Sequence, residues 1–163
     1  MKQSFSPIAN PDAKMLILGT MPGEKSLALG QYYGHGGNQF WRIISNLFNE
    51  PITSDYSKKK LLLLNKKIAL WDVLDNCQRE GSSDTSIHSE TPNDFNGFFR
   101  KHPLIKNILF NGGNAATYYD TYIGRSKEFN FYTLPSTSPA NTWKSFNEKV
   151  KEWSVILELL SIN

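Results

Sequence analysis

The chain has one cysteine, Cys77, among 163 residues. That excludes an internal disulfide and leaves too few thiolates for an iron–sulfur cluster or a cysteine-rich zinc site. The expected site is therefore free of metal and cofactor. No apolar run approaches the ~20 residues that a membrane-spanning helix requires, and no charged-then-apolar leader opens the chain. The protein is accordingly read as cytoplasmic, with no membrane partner. Charge of one sign is scarce as well: 18 Lys and Arg against 15 Asp and Glu leave a net charge of +3, too small an excess to mark a nucleic-acid surface by itself. The sharpest basic cluster, Lys58-Lys59-Lys60 with Lys66-Lys67 behind it, reads as a solvated helix face. Internal repeats and low-complexity segments are lacking too. With 39% apolar and 20% charged residues, a chain of this length can bury a substantial core within one domain.

What is present is an alternation of strand and helix patterns. Apolar β-type runs occur at Met15 to Leu18, Ile68 to Val73, Ile108 to Phe110 and Phe131 to Leu134, each bounded by Gly, Pro, Asn or Asp. Between them, Phe40, Ile44, Leu47 and Phe48 keep helical spacing, and Pro92 to His102 reads as a helix capped by Thr91. At the C-terminal end Phe146, Val150, Trp153, Leu157 and Leu160 step by four and three, which predicts one helix with all five on its core face. This order predicts an α/β fold, a three-layer α/β/α sandwich around a small, mainly parallel four-stranded sheet. In such folds ligands bind at the carboxyl ends of the strands. The polar stretch from Asn76 to Thr91 has no clear period and is longer than ordinary connections in α/β units, so it reads as a surface loop without a catalytic role.

Two glycine-framed segments follow the first strand in sequence. Gly19-Thr20-Met21-Pro22-Gly23 follows the first strand, and Tyr32-Tyr33-Gly34-His35-Gly36-Gly37-Asn38-Gln39-Phe40-Trp41 delivers an asparagine to the start of an apolar helix. Glycines let backbone approach a ligand closely. The side chains on offer are amides and aromatic rings, with no evident acid, base or thiol. That inventory suits a flat polar ligand such as a nucleobase. Tyr33 reads either as a stacking surface or as a loop aromatic plugging the core; Asn38 reads either as a ligand-facing amide or as a helix cap. Asn111, before Gly112-Gly113, reads either as an edge-reading amide or as a turn residue.

The motifs GTMPG (19–23), YYGHGGNQFW (32–41), ALWDVL (69–74), FNGGNAA (110–116) and LPSTSPAN (134–141) together resemble the uracil-DNA glycosylase superfamily, and within it the hypoxanthine-DNA glycosylase branch. The likeness runs in order from Met15 to about Trp153. It implies one uracil-DNA-glycosylase-like domain over residues 1–163, acting as a monomer on DNA that contains a deaminated base. The implied activity is monofunctional hydrolysis of the N-glycosidic bond in base excision repair, with hypoxanthine the first expected base and uracil the second. No lysine stands at a matched motif position, so no lyase step is expected.

The resemblance also assigns roles. Met21, Pro22 and Gly23 would lie along the extruded base, Tyr33 would stack on it, and Asn111 would read its Watson–Crick edge. Met21 stands where most of the superfamily has a polar, water-holding residue, and Asn38 takes that part in the hypoxanthine branch. Asn38 is thus the expected catalytic residue, with His35 as an auxiliary donor. Ser136, Thr137 and Ser138 would bind DNA phosphates. Leu134 occupies a place where several relatives carry His or Asn and offers no leaving-group assistance. Two other readings fit these residues: a hydrolase or transferase of free nucleosides or nucleotides, and a catalytically silent module that binds a damaged base.

Overall fold

The computed structural model describes residues 1–161. In chain order the elements are β1 (Lys2–Gln3), β2 (Met15–Gly19), α1 (Glu24–Leu29), α2 (Phe40–Leu47), α3 (Tyr56–Asn65), β3 (Ile68–Asp72), β4 (Leu74–Gln78), β5 (His88–Pro92), α4 (Phe95–Lys101), β6 (Asn107–Asn111), α5 (Gly113–Tyr122), β7 (Asn130–Leu134), α6 (Phe146–Trp153) and α7 (Val155–Ser161). Four of the strands pair in the order β3-β2-β6-β7, all parallel, as their apolar runs predict. Every residue of β2 and β3 is buried, because helices cover both faces of the sheet.

Alternation along the strands divides the core in two. Leu16, Leu18, Ala69, Trp71, Ile108 and Phe110 point to the face covered by α4 and α5, where Phe95, Phe98 and Tyr119 meet them. Met15, Ile17, Ile68, Leu70 and Leu109 point to the opposite face and pack with Phe40, Ile43, Ile44, Leu63, Trp153 and Ile156. The result is the α/β/α sandwich. Among the described residues no helix is long and apolar enough to cross a membrane, and no cluster of three or more His, Cys, Asp or Glu is placed to hold a metal.

Three local expectations are corrected. The 76–91 segment is an ordered hairpin: β4 and β5 pair antiparallel, and β1 adds to β4. Thr91 belongs to β5, and the cap of α4 is Asp94, whose carboxylate accepts from the Gly97 N–H at 3.0 Å. The single C-terminal helix is two. Ser154 separates α6 from α7, and its hydroxyl donates back to the Lys151 carbonyl, a competing bond that disturbs helix phase. Trp153 and Ile156 are fully buried in consequence, whereas Leu157 is 40% exposed instead of sharing the core face.

Candidate functional site

The carboxyl ends of the sheet place a row of residues on one face. Gly19 pairs with Asp72 in register, and Asn111 with Leu134. A Cβ at Gly19 would lie 2.6 Å from Asp72 Oδ1 and 2.7 Å from the Tyr33 hydroxyl, so the missing side chain admits both groups over the strand end. Tyr33 reaches this point from a left-handed backbone (φ 55°), a costly conformation for a tyrosine. Its ring lies 4.4 Å from that of Phe40, tilted by 32°. The Tyr33 hydroxyl and Asp72 Oδ2 are both buried without a hydrogen-bond partner among the described residues.

This crowding sets the electrostatics. Burial, with repulsion from Asp84 added and attraction to Arg79 opposing, pushes the Asp72 carboxyl up from 3.8 to about 7. Burial also pushes the Tyr33 phenol well above its ordinary value, and the neighbouring Asp72 charge adds to that. Asp72 is a site residue that the motif reading passed over. It sits inside ALWDVL, and an acid closing a fully apolar strand was the signal.

The loop before α2 carries Asn38. Its Oδ1 accepts from the Phe40 N–H at 2.9 Å, an Asx turn that leads into α2, while the N-cap position itself is Gln39 and has no side-chain cap bond. The Nδ2 group makes no bond to another described residue, and the half-buried amide can still turn its donors to a ligand. His35 is exposed, and its Nδ1 accepts from the Gly37 N–H at 2.9 Å, which puts the proton of the neutral ring on Nε2. Tyr33, His35 and Asn38 share a cleft of about 170 Å³ with Arg42 and Lys59. The loop is held from behind: Trp41 Nε1 donates to the Tyr32 carbonyl at 2.7 Å, and the Gly34 N–H donates to Ser26 Oγ at 2.9 Å.

The loop after β7 closes the other side. Of the three hydroxyls expected at DNA phosphates, Thr137 is fully buried and has no surface to offer one, whereas Ser136 and Ser138 are half-buried. Thr137 is instead a clasp. Asn111 Nδ2 donates to its Oγ1 at 2.9 Å, its own N–H donates to Asn111 Oδ1 at 2.9 Å, and its carbonyl accepts from the Gln39 N–H at 3.0 Å. Asn111 and the Asn38 loop are thereby tied through one residue. Beyond these bonds Asn111 has one amide N–H and one lone pair, and its amide stands close enough to the Tyr33 phenol to oppose in part the upward push on that group. Lys149, almost wholly buried, adds a second tie by donating to Gln39 Oε1 and to the Asn141 carbonyl, each at 2.9 Å. The Trp153 indole holds the Pro135 carbonyl at 2.9 Å.

The turn after β2 offers backbone more than side chains. Met21 is 8% exposed and packs into the α4–α5 side of the core, so it contributes only its main chain here. The β4–β5 hairpin lies directly against this turn. Arg79, with a fully buried side chain, donates to the Pro22 carbonyl and lies 3.6 Å from Asp84. Ser82 Oγ accepts from the Glu24 N–H at 2.8 Å.

A parallel-sheet sandwich whose carboxyl edge gathers a tyrosine, amides and backbone turns is an α/β protein with its polar groups where ligands of that class bind. The model of the uracil DNA glycosylase superfamily matches residues 6–159, and the chain belongs to that superfamily. A hypoxanthine DNA glycosylase from Methanosarcina acetivorans is 36% identical over 157 residues, covering 96% of this chain and 98% of the relative. One from Methanosarcina barkeri is 36% identical over 154 residues, covering 94% and 96%. A solution NMR structure of a Methanosarcina acetivorans protein designated a uracil DNA glycosylase superposes with a TM-score of 0.83 at 35% identity, covering 97% of this chain and 98% of that one.

Proposed function

We propose that the protein is a monofunctional DNA glycosylase that hydrolyses the N-glycosidic bond of deaminated bases, hypoxanthine first and uracil second. It would act as a cytoplasmic monomer on DNA in base excision repair. The observation that carries this reading is the placement of Tyr33 and Asn38 on one braced loop above the Gly19–Asp72–Asn111 edge, in a chain that aligns end to end with two hypoxanthine DNA glycosylases.

In this reading the target nucleotide leaves the stack and its base lies along the 21–23 turn, against Tyr33. Asn111 pairs with the carbonyl and adjacent N–H that hypoxanthine and uracil share, using the donor and lone pair that Thr137 leaves it. The C1′–N bond breaks with its electron pair moving to the base, and a water oriented by the Asn38 amide adds to C1′. Its spare proton leaves with the departing base, so the products are free base and an abasic sugar. An amide does not ionise, and the rate gain comes from groups placed where charge develops. Ser136 and Ser138 would hold flanking phosphates.

Asn38 has two jobs, and two substitutions separate them. Asn38→Ala should lower single-turnover base release by about 10²-fold or more and also cost about 1 kcal/mol of stability through the lost bond to the Phe40 N–H. Asn38→Ser restores an oxygen that can accept from the Phe40 N–H without the amide. It should melt close to wild type while remaining as inactive as the alanine variant. Wild-type rates in the serine variant would remove Asn38 from the chemistry.

A further inference from the structure

The 79–84 segment is unexplained by the residues assigned so far, and its central side chain is an unusual choice for a core. Arg79 is fully buried, yet its Nε and one of its terminal nitrogens have no hydrogen-bond partner among the described residues, and its counter-charge stands 3.6 Å away. Such a group contributes little to stability, since a buried pair of this kind can be replaced by apolar residues of similar volume at little or no cost. Its one direct bond goes to the Pro22 carbonyl, at the centre of the turn that follows β2.

That bond dictates an orientation. In a trans peptide the carbonyl and the following N–H point in opposite directions. With the Pro22 oxygen drawn to Arg79, the Gly23 N–H is turned away from the hairpin, and it donates to no group among the described residues. A guanidinium bonded to the carbonyl end also polarises the peptide and strengthens its N–H as a donor. The rest of the segment holds the same geometry. Ser82 bonds the Glu24 N–H and lies 3.2 Å from where a Gly23 Cβ would be, and Asp84 accepts from Asn114 Nδ2 at 3.3 Å, joining the hairpin to the start of α5.

We propose that Arg79 is a positioning residue: it aims and polarises the Pro22–Gly23 peptide so that the Gly23 N–H meets the negative charge forming on the departing base. The assignment rests on the glycosylase reading above. It makes the hairpin a wall of the base pocket and gives the enzyme a charge-stabilising group that no motif side chain supplies.

The test compares Arg79→Met, Arg79→Lys and the double variant Arg79→Met with Asp84→Asn, which leaves no unpaired carboxylate behind. Single-turnover release of hypoxanthine from a deoxyinosine duplex should fall about 10²-fold in both methionine variants, with duplex affinity changed by less than roughly threefold. Lysine keeps a charged donor for the Pro22 carbonyl and should recover the rate to within about tenfold of wild type. In ¹H–¹⁵N spectra the Gly23 amide proton should move upfield in the methionine variants, and the double variant should melt no lower than wild type. A purely structural arginine predicts the reverse: a lowered melting temperature, equal damage from lysine and methionine, and loss of affinity in step with rate. That pattern, or an unmoved Gly23 amide, overturns the proposal. Absence of base release by the wild-type protein would instead count against the glycosylase reading, while the Gly23 resonance still reports whether Arg79 sets the peptide.

Discussion

Gly19 stands beside Asp72 in the sheet, and its bare Cα is what lets a carboxyl and a phenol share the strand end. The Asp72 carboxyl, raised to about 7 chiefly by burial, carries a pH signature. Between its ordinary value of 3.8 and about 7 the folded protein holds a proton that the unfolded chain has released. Stability contributed by the neutral acid is therefore complete below pH ~4, declines as pH rises to ~7, and is flat beyond. The groups that face it are Arg79, Asp84, Tyr33 and Tyr32. Asp72→Asn, which is neutral throughout, should match wild type near pH 4 and exceed it at pH 8, by about 4 kcal/mol at most. Urea melts of both proteins at the two pH values check this; a gain that is equal at both would contradict it. At this scale the sequence was legible where residue type and place coincide. Asn38, Tyr33 and Asn111 could be named from their glycine settings, but whether each caps, plugs or turns was open. Asn38 forms an Asx turn one residue ahead of the Gln39 cap position, and the Thr137 bonds to Asn111 join a strand end to a loop 26 residues away, which no local pattern encodes.

Helices and strands followed their apolar periods wherever a packed face produced one. The four parallel strands sit where their apolar runs predict, because β2, β3 and β6 are buried on both faces and the edge strand β7 still turns Phe131, Tyr132 and Leu134 to the two cores. The hairpin of β4 and β5 was not legible. Its β5 strand is exposed or half-exposed throughout, so it shows no alternation, and its order comes from Arg79 and Ser82 reaching another segment. The break at Ser154 was hidden for a related reason: spacing alone does not register a hydroxyl that competes for a backbone carbonyl. Helix α6 offers a clean control on this level. Ser145 and Glu148 form a reciprocal capping box at its start, with bonds of 3.2 and 3.1 Å. Ser145→Ala should cost about 1 kcal/mol, a fall of roughly 2–4 °C in melting temperature. Because Lys149 and Trp153 bond from within the helix, the 135–141 loop should stay in place and base release should be unchanged. Lost activity in that variant would show that α6 does more than brace the loop.

For the molecule as a whole, the sandwich serves to bring four strand ends and three loops to one edge. The Tyr33–Asn38 loop is tied to the core through the Trp41 indole, the 19–23 turn through the Val73 N–H to the Gly19 carbonyl and the 135–141 loop through Asn111 and Thr137, and the hairpin braces the turn from outside. Substrate choice lies beyond what periodicity and spacing encode, since hypoxanthine and uracil present the same carbonyl and N–H to an amide. The proposed order, hypoxanthine before uracil, rests on the motif order and on two full-length relatives that are named hypoxanthine DNA glycosylases. The most direct measurement is the release of free base from short duplexes carrying one deoxyinosine, with deoxyuridine and undamaged duplexes alongside. Hypoxanthine release with an intact abasic strand and no release from undamaged DNA is the predicted result. Lesion binding without release of either base would contradict the account, because it would mean that the site holds a base it cannot cleave.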